Sequence, residues 1–175
     1  MASIRRMPAS GPSIRLLPRV DDTNRFFWTS GADGRLRFLR CHRCRQFFHP
    51  PAPRCPHCLS DDVAPEPVSG RATVHAFTVN HQQWIPGSEP YVVGLVTIDE
   101  QPDVRLMTNL LDVEPDEGLV GRQMEVVFEH QEDVYLPLFR PAGEAGGAGG
   151  APDPVGGAGV NGGTGPDDGT GGGAL

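Results

Sequence analysis

Lysine is missing from this 175-residue sequence: all 15 basic side chains are Arg, set against 22 acidic ones, for a formal charge of −7. A chain without Lys has no amine for Schiff-base chemistry. Aromatic residues are scarce, at 7%. Long apolar runs are absent as well. The most apolar stretch, Tyr91–Ile98, is far short of the ~20 residues a membrane-spanning helix needs. The Arg-rich first twenty residues hold no continuous apolar segment, so no secretory signal and no membrane partner are expected, and the expected location is cytoplasmic. There is no Ser nucleophile elbow and no phosphate-cradling Gly loop. Four Cys are too few for a disulfide-dense scaffold.

What is present is unevenly spread. Residues 1–62 carry 11 Arg against 5 acids, and residues 63–140 carry 4 Arg against 13 acids. That asymmetry points to two modules with different roles. Residues 1–20, broken by Pro and Ser, read as a disordered arm. Residues 21–34 read as a short helix and turn, with Asp21, Asp22 or Thr23 as N-cap and Phe26, Phe27 and Trp28 on the helix. Residues 142–175 are low-complexity Gly, Ala, Pro and Asp, which cannot bury enough surface to offset ordering entropy.

Between these ends, 69–141 reads as β-structure. Five segments rich in Val, Thr, Phe and Tyr (71–80, 91–99, 104–111, 123–130 and 133–139) are separated by Pro, Gly, Asp and Glu. The intervals are too short for helical crossovers, so the sheet is expected to be mainly antiparallel. Five short strands in about 70 residues match an OB-type Greek-key barrel, with an SH3-like barrel left open. Pro137 is expected at an edge or outside the pairing of the last strand. The fold class is therefore mainly β.

All four cysteines fall within 35–68, as Cys41-His-Arg-Cys44 and Cys55-Pro-His-Cys58. Two Cys-x2-Cys knuckles at this spacing are the signature of a zinc ribbon, and four thiolates leave no open coordination position, so the ion is structural. The competing arrangements are two disulfides, which would close strained two-residue loops, and a rubredoxin-like iron site. Neither second Cys is followed by the Gly that such electron carriers prefer. His42, His49 and His57 read as solvated turn residues. Arg40, Arg43, Arg45 and Arg54 around the knuckles either offset the charge of a four-thiolate centre or form a phosphate site.

Several segments come in a specific order. Arg25-Phe26-Phe27-Trp28 precedes the two knuckles, with Phe48-His49-Pro50-Pro51 between them. Then follow Ser69–Val74, Pro90–Val93, Leu106–Leu110, Val120-Gly121-Arg122 and Leu136–Pro141. From Asp22 to Pro141 this resembles the bacterial and archaeal zinc-ribbon plus OB-fold proteins described as acyl-CoA-associated. The resemblance implies a small non-catalytic subunit with structural zinc, beside a thiolase-like or lipid-transfer-type enzyme. Such partners make or break carbon–carbon bonds in acyl-CoA thioesters, including those of steroid side chains. It also implies that the OB domain holds the ester or supports the partner's active site. Candidate acyl-CoA contacts are Arg43, Arg45, Trp84, Tyr91 and Asn109. For Trp84 a core or partner-facing place, and for Asn109 a turn or bulge, are the plainer alternatives. Phe26, Phe27 and Trp28 are candidates for burial against the partner, with packing on the barrel as the alternative. A nucleic-acid-binding OB protein is the rival function. The acidic 63–140 argues against it, since a nucleic-acid groove is expected to be positive.

Overall fold

The computed structural model describes residues 15–83 and 89–143; Trp84 and most of the Gly-rich tail lie outside the described residues. The helix α1 is brief, Arg25–Thr29, and runs into a 3-10 turn, Ser30–Asp33, closed by Gly34 at φ 73°. Its N-cap is Asn24, without a side-chain capping bond. Asp21 instead builds the turn ahead of it, its Oδ1 accepting from the amides of Thr23 and Asn24.

Three strands, β1 (Arg37–Cys41), β2 (Phe47–Phe48) and β3 (Val63–Pro67), form an antiparallel sheet with β1 in the middle. Five more close a barrel: β4 (Arg71–Asn80), β5 (Tyr91–Ile98), β6 (Arg105–Leu110), β7 (Gln123–Gln131) and β8 (Val134–Pro141). Their order is β4-β5-β6-β8-β7, with β7 returning to β4. All pairs are antiparallel except β6 with β8. This is the OB-type barrel expected from the strand pattern, with each end within two residues of expectation. Alternation sets its inside: Val92, Val96 and Ile98 of β5 and Leu106, Thr108 and Leu110 of β6 are buried. Gly94 shares that inward row, where a Cβ would lie 2.6 Å from Leu110 Cγ.

Pro137, expected at an edge or outside the pairing, stands in register opposite Phe128 in the middle of β8. The direction of its carbonyl explains this. A residue's N–H and C=O point to the same flank of a strand, and the Pro137 carbonyl accepts from the Thr108 hydroxyl of β6 at 2.7 Å. The missing amide therefore faces β6, and the β7–β8 ladder loses nothing.

Of the arm expected at 1–20, residues 1–14 lie outside the described residues. From residue 15 on, the chain is laid against the barrel, with Leu17 and Val20 packing on the cluster of Val134, Leu136 and Leu138. Arg15 Nε lies 3.0 Å from Glu129 Oε1. The aliphatic pair at 17 and 20 supplies the anchoring that a Pro- and Ser-rich composition obscured.

Ribbon and barrel share one core. Adjacent residues on a strand face opposite ways, so Phe38 and Phe47 join the barrel's cluster while Leu39 and Phe48 turn to the cysteines. Phe27 belongs to the first cluster and is 2% exposed. Gly31 lets the 3-10 turn sit against β7 and β8: a Cβ there would come within 2.4 Å of Phe128 Cδ1 and 2.5 Å of Tyr135 Cβ. Gln101, in the β5–β6 connection, completes the join. Its Oε1 accepts from the Phe47 amide at 2.7 Å and its Nε2 donates to the Phe47 carbonyl at 3.0 Å. One side-chain amide thus stands in for a strand on the free edge of β2. We predict that Gln101→Ala, which leaves both buried Phe47 backbone groups unpaired, lowers stability by about 1–3 kcal/mol. The measurement is the urea midpoint at constant m; a midpoint equal to wild type would contradict the join.

Candidate metal centre and its surroundings

The two knuckles are built alike. The Arg45 amide bonds the Cys41 carbonyl at 2.8 Å, and the Leu59 amide bonds the Cys55 carbonyl at 2.9 Å. The Cys41 and Cys55 amides are in turn held by the carbonyls of Gln46 and Ser60. The residue after each second cysteine is left-handed, Arg45 at φ 66° and Leu59 at φ 61°. Gly is the usual occupant of such a position; here Arg and Leu adopt it, and Leu59 is left 71% exposed.

This construction points four sulfurs at one place. Cys41 Sγ lies 3.5 Å from Cys58 Sγ, Cys44 Sγ lies 3.5 Å from Cys55 Sγ, and all four atoms fall within 4.8 Å of one another. A tetrahedral ion with bonds of ~2.3 Å to sulfur has S···S edges of about 3.8 Å. The four sulfurs therefore fit such an ion as they stand, while no pair approaches the ~2 Å of a disulfide; the cysteines are free. Cys41 and Cys55 are fully buried.

Electrostatics divide the first knuckle's two sulfurs. The Cys44 amide, which donates to the sulfur, is the main influence holding the Cys41 thiol down to about 6. Cys44 gains a similar donor in the Gln46 amide, yet burial and the three neighbouring sulfurs push it up to about 12. Four sulfurs so close cannot all hold negative charge without a cation between them.

None of the ribbon's histidines belongs to the sulfur cluster. His42 Nδ1 lies 3.0 Å from Asp62 Oδ1, and His57 is exposed. His49, expected to be solvated, is instead packed. Its ring centroid is 4.9 Å from that of Phe27 and 5.3 Å, edge-on, from that of Phe38, and its buried Nδ1 has no hydrogen-bond partner among the described residues. Burial pulls this His down to about 4.

The remaining site candidates divide. Arg43 and Arg45 are exposed at the first knuckle, with no ion-pair partner among the described residues, whereas Arg40 is engaged by Glu66 at 2.8 Å and by the Arg45 carbonyl. Tyr91 and Asn109 lie on the outward face of β5 and β6, Asn109 in register with Val93. The Asn109 amide is already spent: Oδ1 accepts from Arg15 Nη1 at 2.6 Å and Nδ2 donates to the Val92 carbonyl at 3.2 Å. Trp84 lies outside the described residues. Phe27, expected to seek a partner, is closed into the chain's own core, and Phe26 and Trp28 are half-buried. Gln101 and Arg15 were missed, since nothing in their sequence surroundings marks them out.

Comparison with known proteins agrees with this architecture. Residues 28–64 match the family model for the ChsH2 rubredoxin-like zinc ribbon domain, and residues 65–129 the model for the ChsH2 C-terminal OB-fold domain. The chain is similar to a solved structure described as an Ltp2-ChsH2(DUF35) aldolase, at TM-score 0.64 and 35% identity, covering 71% of this chain and 98% of that one. It is 37% identical over 134 residues to a probable enoyl-CoA hydratase alpha subunit of Thermomonospora curvata; that covers 74% of this chain but only 41% of the relative's length. A DUF35 domain-containing scaffold protein of Methanothermobacter thermautotrophicus is 30% identical over 115 residues, 58% of this chain and 83% of that protein.

Two predictions follow from the centre and its neighbour. Cys41→Ser, or removal of metal by a chelator, should unfold the ribbon, seen as loss of protection at 37–48 in hydrogen exchange; unchanged protection after complete metal removal would refute a structural ion. For His49, the folded state titrates near 4 and the unfolded chain near 6.5. Between those values the unfolded state binds the extra proton, so stability falls as pH drops from about 6.5 to about 4 and levels off below. The loss is on the order of 2–3 kcal/mol. His49→Phe should remove it, leaving a wild-type-minus-variant difference that is constant above pH 7 and moves against wild type as pH falls from about 6.5 to about 4; a difference independent of pH would count against the assignment.

Proposed function

The chain belongs to the ChsH2 family, a rubredoxin-like zinc ribbon joined to an OB-fold domain, and on that premise we propose that it is a non-catalytic subunit of an acyl-CoA carbon–carbon bond enzyme. The partner is thiolase-like, of the lipid-transfer type. The reaction class is retro-aldol or thiolytic cleavage, or the reverse condensation, of an acyl-CoA thioester, with steroid side chains among the fitting substrates. The observation that carries this is the likeness to a chain of the Ltp2-ChsH2(DUF35) aldolase, which spans 98% of that chain at 35% identity.

Zinc is the ion that suits Cys41, Cys44, Cys55 and Cys58, and with four thiolates it supplies a cross-link and no reactive position. The chain's own contribution is then placement. Arg43 and Arg45, exposed and unpaired among the described residues, are free to meet the phosphates of the ester or carboxylates of the partner. Tyr91, at the head of β5, is the candidate at the barrel end of the ester. Asn109 serves a ligand only if Arg15 leaves it.

The nucleic-acid reading loses support for a specific reason. Of the Arg residues in barrel strands, Arg71 faces Asp99 at 3.6 Å and Arg140 faces Glu125 at 2.8 Å. Only Arg105 is left to meet phosphates among the described barrel strands, and a groove that tracks a backbone needs several unpaired cations.

The test is reconstitution. Expressed together with a lipid-transfer-type thiolase-like enzyme from the same source, the full chain should co-purify in fixed stoichiometry. Cleavage of a β-hydroxyacyl-CoA should require the partner and rise at least tenfold when both are present. Turnover by this chain alone would end the proposal, as would nucleic acid retained in place of a protein and released by salt.

A further inference from the structure

The seam between β6 and β8 is the weakest in the barrel. β4 and β5 share eight paired residues, as do β7 and β8, whereas β6 and β8 share only Leu110 with Phe139. Around that pair the join consists of the Leu111 amide on the Phe139 carbonyl at 2.7 Å and the Thr108 hydroxyl on the Pro137 carbonyl at 2.7 Å. A parallel pair one residue long holds a barrel poorly without help.

Help comes from the N-terminal segment. Arg15 donates through Nη1 to Asn109 Oδ1 on β6 at 2.6 Å and through Nε to Glu129 Oε1 on β7 at 3.0 Å. In the sheet order β8 lies between those two strands, so one guanidinium ties them together over it. Leu17 and Val20 settle on the wall made by Leu136 and Leu138, with Leu111 and Val127 beside them. Beyond these contacts the Arg19 carbonyl accepts from Asn24 Nδ2 at 3.1 Å, while Leu16, between the two anchors, is 93% exposed. Beside it the same wall opens into a hollow of about 260 Å³, lined by Leu111, Val127, Leu138 and Glu129 among others.

We propose that residues 15–20 are a salt-sensitive latch on the β6–β8 seam. Closed, it clamps Asn109 to Glu129 and covers the apolar wall; open, it frees Asn109 Oδ1 and exposes Leu111, Val127 and Leu138. The clasp is an ion pair with Arg15 22% and Glu129 28% exposed; it still meets solvent, so ionic strength weakens it, less than it would a pair fully on the surface. The apolar contacts of Leu17 and Val20 are not weakened in that way. The latch stands on these contacts alone and does not depend on the proposed function.

Hydrogen exchange on the full-length zinc-loaded protein tests this, at about 50 mM and about 500 mM salt, which bracket strong and weak screening. In wild type, exchange at 105–111 and 134–141 should rise by about two- to fivefold with salt, the range of one such pair. In Arg15→Ala it should be fast at both salts, with 37–48 unchanged. Leu17→Ser with Val20→Ser should open the same seam and make its salt response smaller. Seam exchange in Arg15→Ala that matches wild type would overturn the latch. So would an equal acceleration at 37–48, which would mark a general loss of stability.

Discussion

Four sulfurs drawn to within 4.8 Å of one another are the constraint on which the N-terminal half of this molecule depends. The reason lies in where the ribbon's apolar residues go. Of Phe38, Leu39, Phe47 and Phe48, two face the barrel and two face the cysteines, and Leu59 faces water. The ribbon keeps for itself little more than Leu39 and Phe48, worth about 1.5–3 kcal/mol each. A structural zinc contributes on the order of 10–16 kcal/mol in small fingers. An ion held by the four sulfurs would therefore dominate the ribbon's stability, while Phe38 and Phe47 are left to pack into the barrel's cluster.

That division makes the two modules mechanically one. Phe27, Phe38 and Phe47 are counted in the barrel's core although they arise from the helix and the ribbon. The Gln101 amide reads the backbone of β2 as a neighbouring strand would. β2 therefore touches both the cysteine cluster, through Phe48, and the β5–β6 connection, through Phe47. A subunit that acts by placement needs this stiffness, because a surface held loosely by its scaffold cannot fix the geometry of a partner or an ester.

Much of this was legible in the sequence, and the reasons are local. The five barrel strands announce themselves because each is short, β-branched and bounded by turn residues. The cysteines announce themselves because ligand spacing is a covalent property of the chain. What escaped was set by distant residues. Phe27 looked partnerless because Phe38 and His49 are brought to it only by the fold. His49 looked solvated because its polar neighbours in sequence are not its neighbours in space. Asn109 looked available because Arg15, whose guanidinium occupies it, is 94 positions away. Residues 15–20 looked disordered because composition counts Pro and Ser and does not see that Leu17 and Val20 meet a wall.

The distribution of charge gains a meaning once these contacts are known. Glu66 is tied to Arg40, Glu125 to Arg140, Asp99 to Arg71 and Glu129 to Arg15. Acids of the second module are thereby matched, one at a time, by Arg side chains, two of which come from the first sixty-two residues. The excess of Arg near the N-terminus is partly internal: Arg40 pairs with Glu66 across the ribbon's own sheet, and Arg15 ties the N-terminal segment to Glu129 of the barrel. Arg43, Arg45 and Arg54 are the exceptions at the ribbon, exposed and unmatched among the described residues. Cations that the fold leaves unmatched while matching their neighbours are the ones available to a second molecule. Arg45 stands at φ 66° in the first knuckle, its amide on the Cys41 carbonyl at 2.8 Å. The sulfur cluster and the outward-facing charge thus share one turn of backbone, so a change at Cys41 or Cys44 bears directly on where Arg45 is held.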